Sequence, residues 1–77
     1  MEITQKEENG IVCIEIIGRL DADSSPEAEK VVKDAIKDQT NRILFNLASL
    51  EYLSSAGLRV LLGAAKEMRR KDGKIVL

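Results

Sequence analysis

The sequence contains no histidine or tryptophan, and only one cysteine, one proline, one tyrosine and one phenylalanine. Without histidine the chain cannot assemble a Ser-His-Asp triad or a zinc site that uses an imidazole ligand. The single cysteine, Cys13, excludes an intramolecular disulfide, and its place in the apolar run "IVCIEII" predicts a buried, unreactive thiol. Two aromatic side chains are too few to build a stacking platform for single-stranded nucleic acid.

Charge of one sign and long apolar runs are also scarce. The 12 basic and 13 acidic residues give a formal charge of −1, so no strong field attracts nucleic acid or anionic lipid. No segment approaches the roughly 18 apolar residues of a membrane-spanning helix, and the polar start "MEITQKEENG" is unlike a signal peptide. We therefore expect a cytoplasmic protein with no nucleic-acid partner and no membrane partner.

The first half of the chain predicts a hairpin followed by a helix. The segments "EITQKE" and "IVCIEII" are typical of strands, and Asn9-Gly10 between them suits a tight primed turn. The second segment is apolar almost throughout, which predicts a strand covered on both faces. A helix should begin at Pro26, capped by the hydroxyl of Ser24 or Ser25. Its predicted buried face consists of Ala28, Val31, Val32, Ala35 and Ile36.

The second half predicts a strand, a helix and a strand. After the polar break "KDQTN", the segment "RILFNL" is typical of a central strand, and "ASLEYL" connects it to a second helix. That helix should end at Gly73 in a left-handed cap, before a last strand that begins with "KIVL". The predicted buried face of the second helix consists of Leu58, Leu61, Leu62, Ala65 and Met68.

The order β-β-α-β-α-β predicts an α/β fold, a small mixed β-sheet with flanking helices joined by right-handed crossovers. Residues 1–77 form one domain at most. The sequence stops inside an apolar strand, so we expect a chain truncated at its C-terminus or completed by something else. An uncovered last strand would favour a homodimer through that strand.

Paired serines stand at the entrance to the second helix, in "YLSSAGL". On residue chemistry alone they either cap the helix or present a functional hydroxyl, and the first interpretation is the more common one. Gly57, one turn in, suggests a close approach of the backbone to another element. In "GRLDADSS", Asp21 and Asp23 are typical of turn formation and capping, and the alternative for Asp21 is a place near Ser55. The basic run "KEMRRKDGK" fits a solvated helix face more often than a phosphate or acidic-partner contact.

The stretches "GRLDADSSPE" and "RILFNLASLEYLSSAGLRVLL" strongly resemble the STAS family, whose best-known soluble members are bacterial anti-sigma-factor antagonists. The resemblance implies a protein without enzymatic activity or cofactor that binds an anti-sigma factor with serine kinase activity and so releases a sigma factor. That kinase would phosphorylate the protein and end the binding, and a serine phosphatase would reset it. Aligning the family's "D-S-S-G-L" by its Gly-Leu pair places the phosphorylated serine at Ser55, with Ser54 in the place of the aspartate.

The resemblance implies no catalytic residue and no metal ligand. Family domains continue for another helix, strand and helix, which this sequence lacks. The residues implied for partner binding are those of the signature and of the loop that leaves the second strand, namely Asp21, Asp23, Ser54, Ser55, Ala56, Gly57 and Arg59.

Two alternatives stay open at this point. STAS domains also serve as regulatory modules of anion or lipid transporters and of stress-sensing complexes, where the serine can go unused. The other alternative is a nucleotide-hydrolysing enzyme that uses Asp21 and Ser55, although the sequence has no Gly-rich loop to cradle phosphates.

Overall fold

The computed structural model describes residues 1–36 and 41–76, and within them five strands and two helices. The predicted fold class, a small mixed sheet with helices packed against it, is confirmed. One strand was not predicted, because β4 lies in the segment "ASLEYL" that we expected to be a connection. In chain order the elements are β1 (Glu2–Glu8), β2 (Ile11–Leu20), α1 (Ser25–Ala35), β3 (Arg42–Asn46), β4 (Leu50–Leu53), α2 (Ser55–Arg70) and β5 (Lys74–Val76).

The hairpin forms as predicted. Asn9 and Gly10 have φ angles of 53° and 80°, the left-handed conformations that a primed turn needs. β1 pairs antiparallel with β2 in a register that runs from Glu8 opposite Ile11 to Glu2 opposite Ile17. Neither described helix is long and apolar enough to cross a membrane. The predicted polar break before β3 lies mostly at residues 37–40, outside the described residues.

β2 organises the sheet, whose strand order is β1-β2-β3-β5 with β4 paired to β2. The first half of β2 pairs in parallel with β3, and its end pairs in parallel with β4, so that Leu20 lies opposite Leu53. β3 and β4 therefore follow one another along the same edge of β2. The chain leaves β2 and β4 at neighbouring points of one end of the sheet.

One face of the sheet carries the core. Val12, Ile14 and Ile16 of β2 are buried, whereas Cys13 and Glu15 between them are only half-buried. The prediction that β2 is covered on both faces, with a buried Cys13, was wrong, because alternate residues are buried on one side only in the described part of the chain. The core consists of Val12, Ile14, Ile16, Leu20, Ala28, Val32, Ala35, Ile43, Phe45, Val60, Leu61, Ala64 and Met68.

α2 is rotated relative to the prediction. Leu61 and Met68 are buried as expected, but Leu58 and Leu62 are 44% and 53% exposed. The helix carries two apolar stripes, and the one that includes Gly57 and Ala64 faces the sheet. Small residues let the helix axis approach the strands closely. The buried positions of α2 are Gly57, Val60, Leu61, Ala64 and Met68.

The end of α2 also differs from the prediction. Asp72, not Gly73, is the left-handed residue, with φ 56°. The N–H of Gly73 donates to the carbonyl of Met68 at 2.7 Å, and the N–H of Asp72 donates to the carbonyl of Arg69 at 3.2 Å, which is a Schellman motif. Gly73 is needed for space instead, because a Cβ there would lie 2.9 Å from the carbonyl oxygen of Asn41.

β5 is an edge strand of the described sheet, because its described partner is β3 alone. Val76 within it is 58% exposed. These features are compatible with pairing to another chain. A single chain does not test the homodimer, which stays a prediction.

The rotation of α2 can be tested with two separate variants, each of which replaces one of two adjacent leucines by alanine. Leu61→Ala should lower the free energy of unfolding by about 2 to 4 kcal/mol, because it leaves a cavity in the core. Leu62→Ala removes the same atoms from an exposed position and should cost less than about 1 kcal/mol. Urea unfolding followed by circular dichroism measures both values. Equal losses, or a larger loss at Leu62, would contradict this orientation of the helix.

Candidate functional site

The polar residues singled out in the sequence meet where β2 and β4 end. Leu20 and Leu53 are register partners in parallel strands, and the N–H of Ser54 donates to the carbonyl of Leu20 at 2.9 Å. The loop that starts at Asp21 and the first turn of α2 therefore leave the sheet side by side. This end of the sheet is the candidate site.

Ser54 caps α2. Its backbone is extended, with φ −86° and ψ 171°, and its hydroxyl oxygen accepts a hydrogen bond from the N–H of Gly57 at 3.1 Å. Its carbonyl accepts the first helical hydrogen bond, donated by Leu58 at 2.9 Å. These are the features of an N-cap serine. The capping interpretation of the serine pair is correct for Ser54.

Ser55 is the first residue of α2 and is exposed to solvent. Within residues 1–36 and 41–76, its hydroxyl has no hydrogen-bond partner. At 100° per residue, Ser55 lies on the side of the helix opposite Gly57, Leu61 and Ala64, which face the sheet. With Ser54 holding the cap, the hydroxyl of Ser55 is available for chemistry at the surface.

Gly57 brings α2 against the end of β2. A Cβ at this position would lie 2.7 Å from the carbonyl oxygen of Leu20, 2.7 Å from its Cγ, and 3.0 Å from Cδ1 of Leu53. The close approach predicted for this glycine is therefore present. Because Gly57 is buried, it contributes to the site by fixing the position of the helix start.

The loop after β2 is built around Asp21. Its Oδ1 accepts hydrogen bonds from the N–H groups of Asp23 and Ser24, both at 3.1 Å. The hydroxyl of Ser24 accepts from the N–H of Asp21 at 3.0 Å, and the hydroxyl of Ser25 donates to the carbonyl of Asp21 at 2.6 Å. The turn-forming interpretation of Asp21 is supported. The prediction that a serine hydroxyl caps α1 was wrong, because Ser24 occupies the N-cap without a side-chain cap bond.

The charge of Asp21 is stabilised by its surroundings. The hydrogen bond donated by the backbone N–H of Ser24 is the main cause that lowers the pKa of Asp21, and Arg19 adds to it with its Nε 3.8 Å from Oδ2. The guanidinium of Arg19 also lies 4.3 Å from the ring centroid of Tyr52. The stabilisation of the fold by this carboxylate is present at neutral pH and is lost as the pH falls through the lowered pKa.

The geometry does not join Asp21 to Ser55. Within the described residues, the hydrogen bonds of the Asp21 carboxylate go to its own loop, and none reaches the hydroxyl of Ser55. The same residues contain no group of three or more Cys, Asp or Glu side chains arranged to hold a metal ion. The geometry thus gives no support to an acid that orients or activates this serine.

Four exposed apolar side chains lie near Ser55 in the sequence, and their importance was not predicted. Tyr52, Leu53, Leu58 and Leu62 are four of the six large apolar residues that are exposed in the described chain. All four lie within seven residues of Ser55. The sequence pattern that could have predicted them is the pair of apolar stripes on α2, because only one stripe can face the sheet. We call Ser55, Leu58, Arg59 and Leu62, which share one side of α2, its outer face.

The other predicted site residues lie in α2 and in the loop before α1. Asp23 and Arg59 are exposed, and Ala56 is half-buried. Arg59 follows Ser55 by one helical turn, whereas Asp23 lies in the loop before α1. Arg59 thus shares the outer face of α2 with Ser55, whereas Asp23 belongs to a different element.

Comparison with known proteins identifies the family. The sequence model of the STAS domain matches residues 2–77, so the chain belongs to the STAS domain family. The chain is 30% identical over 77 residues to the protein BtrV of Bordetella bronchiseptica, covering 66% of that protein. It is 27% identical over 78 residues to the anti-sigma F factor antagonist of Paenibacillus polymyxa, covering 67% of it. It is 30% identical over 64 residues to the anti-sigma-B factor antagonist of Staphylococcus aureus, of which the match covers 59%.

Solved structures show the same fold. The anti-sigma factor antagonist SpoIIAA in its unphosphorylated form has a TM-score of 0.82 and 21% identity, over 96% of this chain and 69% of that one. The Bacillus SpoIIAA in the phosphorylated form also has a TM-score of 0.82, with 22% identity, over 99% of this chain and 70% of that one. An anti-sigma factor antagonist from Mycobacterium paratuberculosis gives 0.84 at 19% identity, over 94% and 62% of the two chains. The chain therefore spans about two thirds of the length of its relatives.

The close approach at Gly57 can be tested with two glycines of the same helix. Gly57→Ala should lower the free energy of unfolding by about 1 to 3 kcal/mol, because the added methyl meets the backbone of Leu20. Gly63→Ala should raise it by about 0.5 to 1 kcal/mol, because a Cβ there has nothing within 4 Å and alanine favours the helix. Thermal unfolding of both variants measures the contrast. Stabilisation by Gly57→Ala would show that this contact does not set the start of α2.

Proposed function

We propose that this STAS domain binds an anti-sigma factor that is also a serine kinase, and that phosphorylation of Ser55 by that kinase ends the binding. The unphosphorylated protein would hold the anti-sigma factor and so free a sigma factor in the cytoplasm. The kinase would transfer the γ-phosphoryl group of ATP to the hydroxyl oxygen of Ser55, with ADP as the leaving group. A serine phosphatase would restore the binding form.

The observation that carries this proposal is the division of roles between the two serines. Ser54 accepts the hydrogen bond from Gly57 that caps the helix, whereas Ser55 is exposed and unengaged in the described chain. A kinase needs a hydroxyl that can enter its active site without unfolding the substrate. Ser55 meets that requirement, and modification there leaves the cap intact.

The surroundings of Ser55 favour a protein partner. Leu58 and Leu62 are about half exposed on the same side of α2, and Tyr52 and Leu53 precede the helix. Leu58 and Leu62 form a small apolar patch beside Ser55, and neighbouring exposed apolar side chains mark interaction surfaces more often than single ones do. Asp21 and Asp23 place polar groups in the neighbouring loop, as at the rim of an interface.

Phosphorylation at this position should change the surface more than the fold. A phosphate adds about −1.5 to −2 charges, and the partial positive charge of a helix N-terminus tolerates an anion there. When a partner binds, the same charge would have to be desolvated beside the exposed leucines of this chain. Loss of affinity without loss of structure is the expected result.

The relatives support the partner class. Curated relatives from Paenibacillus polymyxa and Staphylococcus aureus are named as antagonists of anti-sigma F and anti-sigma-B factors. A solved structure with the same fold is that of SpoIIAA in a phosphorylated form.

Substitutions at Ser55 separate a switch from a cap. Ser55→Ala should bind the host's anti-sigma kinase with the affinity of the unmodified chain, whereas Ser55→Asp should bind at least tenfold more weakly, which is about 1.4 kcal/mol. Both variants should melt within a few degrees of the parent, because Ser54 holds the cap. Calorimetric titration and thermal melts measure the two quantities.

Ser49→Asp is the matched control for added charge. Ser49 is exposed just before the first residue of β4, at the other end of the strand that leads to Ser54. The Ser49→Asp variant should bind the anti-sigma kinase with the affinity of the parent chain. Equal affinities of the alanine and aspartate variants at position 55 would refute the proposed switch.

A further inference from the structure

Arg59 is an exposed cation without an ion-pair partner in the described part of the chain. The ion pairs found there join other residues, and the hydrogen bonds found there do not use its guanidinium. An arginine offers five N–H donors in a planar fork, and a free one on a helix surface is a ready anion-binding group. The ion pairs of the described residues, none of which includes Arg59, are Lys6–Glu8, Arg19–Asp21, Lys33–Glu29 and Arg70–Glu67.

Two carboxylates that share a groove with Arg59 are engaged in ion pairs with other residues. Arg59 lines a groove of about 460 Å³ between α1 and α2, together with Glu29 and Glu67. Glu29 pairs with Lys33 at 3.1 Å, and Glu67 pairs with Arg70 at 3.5 Å. On its other side, Arg59 lines a second groove between α2 and β5, whose described lining also includes Lys66, Arg69 and Lys74. Asp72 also lines this second groove, but it lies beyond the C-terminal end of α2, whereas Arg59 lies near the N-terminal end of that helix.

Ser55 and Arg59 are one helical turn apart on the outer face. Residues at i and i+4 have Cβ atoms about 5 to 6 Å apart. Long side chains in a helix lean toward its N-terminus, so an arginine at i+4 reaches over the position of residue i. Both side chains are exposed and neither is committed elsewhere among the described residues. A phosphate on the Ser55 oxygen falls within the reach of the Arg59 fork.

We infer that Arg59 binds the phosphate carried by Ser55, so that the modified serine and this arginine form an internal phosphate-binding pair. The inference rests on the proposed phosphorylation of Ser55. Guanidinium and phosphate match in geometry, because two parallel N–H donors meet two phosphate oxygens. Pairing would neutralise part of the added charge and hold the phosphate against the outer face.

The pair has a consequence for the surface that a partner meets. In the unmodified chain Arg59 borders both grooves beside α2. In the phosphorylated chain it would turn toward the first turn of the helix and cover the approach to Leu58. Phosphorylation would then alter the outer face through two residues, the serine that carries the group and the arginine that binds it.

The ionisation of the phosphate tests the pair directly. Phosphoserine is placed at position 55 during translation, and ³¹P NMR follows its second ionisation, which has an ordinary pKa of about 6. A bound guanidinium favours the dianion, so Arg59→Gln should raise this pKa by about 0.3 to 0.7 units. Arg59→Lys, which keeps the charge but loses the fork, should give an intermediate value.

Arg69→Gln is the matched control, because it removes the same charge from the far end of α2. It should leave the phosphate pKa unchanged. Equal pKa values in the Arg59→Gln and Arg69→Gln proteins would overturn the inference. The result does not depend on any kinase, because the phosphate is installed during synthesis. Failure of the anti-sigma kinase to modify Ser55 would defeat the proposed function alone.

Discussion

The contact between the first turn of α2 and the last residue of β2 decides the rest of the site. Leu20 accepts the N–H of Ser54 at 2.9 Å, and the same carbonyl oxygen would be 2.7 Å from a Cβ at position 57. The absence of a side chain at Gly57 lets the helix start there. That contact fixes the rotation of α2, which places Leu61 in the core and Ser55 on the outer face.

This rotation explains why adjacent serines have different roles. A serine directly before the helix has an extended backbone and can accept a hydrogen bond from the third residue of the helix, as Ser54 does from Gly57. The next residue is already helical and points away from the sheet. One hydroxyl therefore stabilises the helix, while its neighbour is left exposed to solvent. The exposed leucines of the outer face follow from the same geometry.

Much of this structure could be predicted from the sequence, because local chemistry specifies it. Asn9-Gly10 marks the hairpin turn, and Pro26 marks the start of the first helix. Gly57 indicates a close contact between the second helix and another element. The rotation of α2 could not be predicted, because Leu58 and Leu62 are as apolar as the residues that are buried. β4 was missed because its four residues are largely exposed and show no alternation. Nor could residue types alone decide which serine is the cap, since either can serve.

The central claim, that Ser54 is structural and Ser55 is the acceptor, is tested most directly by mapping phosphate. The parent chain, Ser54→Ala and Ser55→Ala would each be incubated with ATP and the host's anti-sigma kinase, then analysed by peptide mass spectrometry. The account predicts phosphate on Ser55 of the parent and of the Ser54→Ala chain, and none on the Ser55→Ala chain. Phosphate on Ser54 of the parent, or undiminished modification after Ser55→Ala, would contradict it.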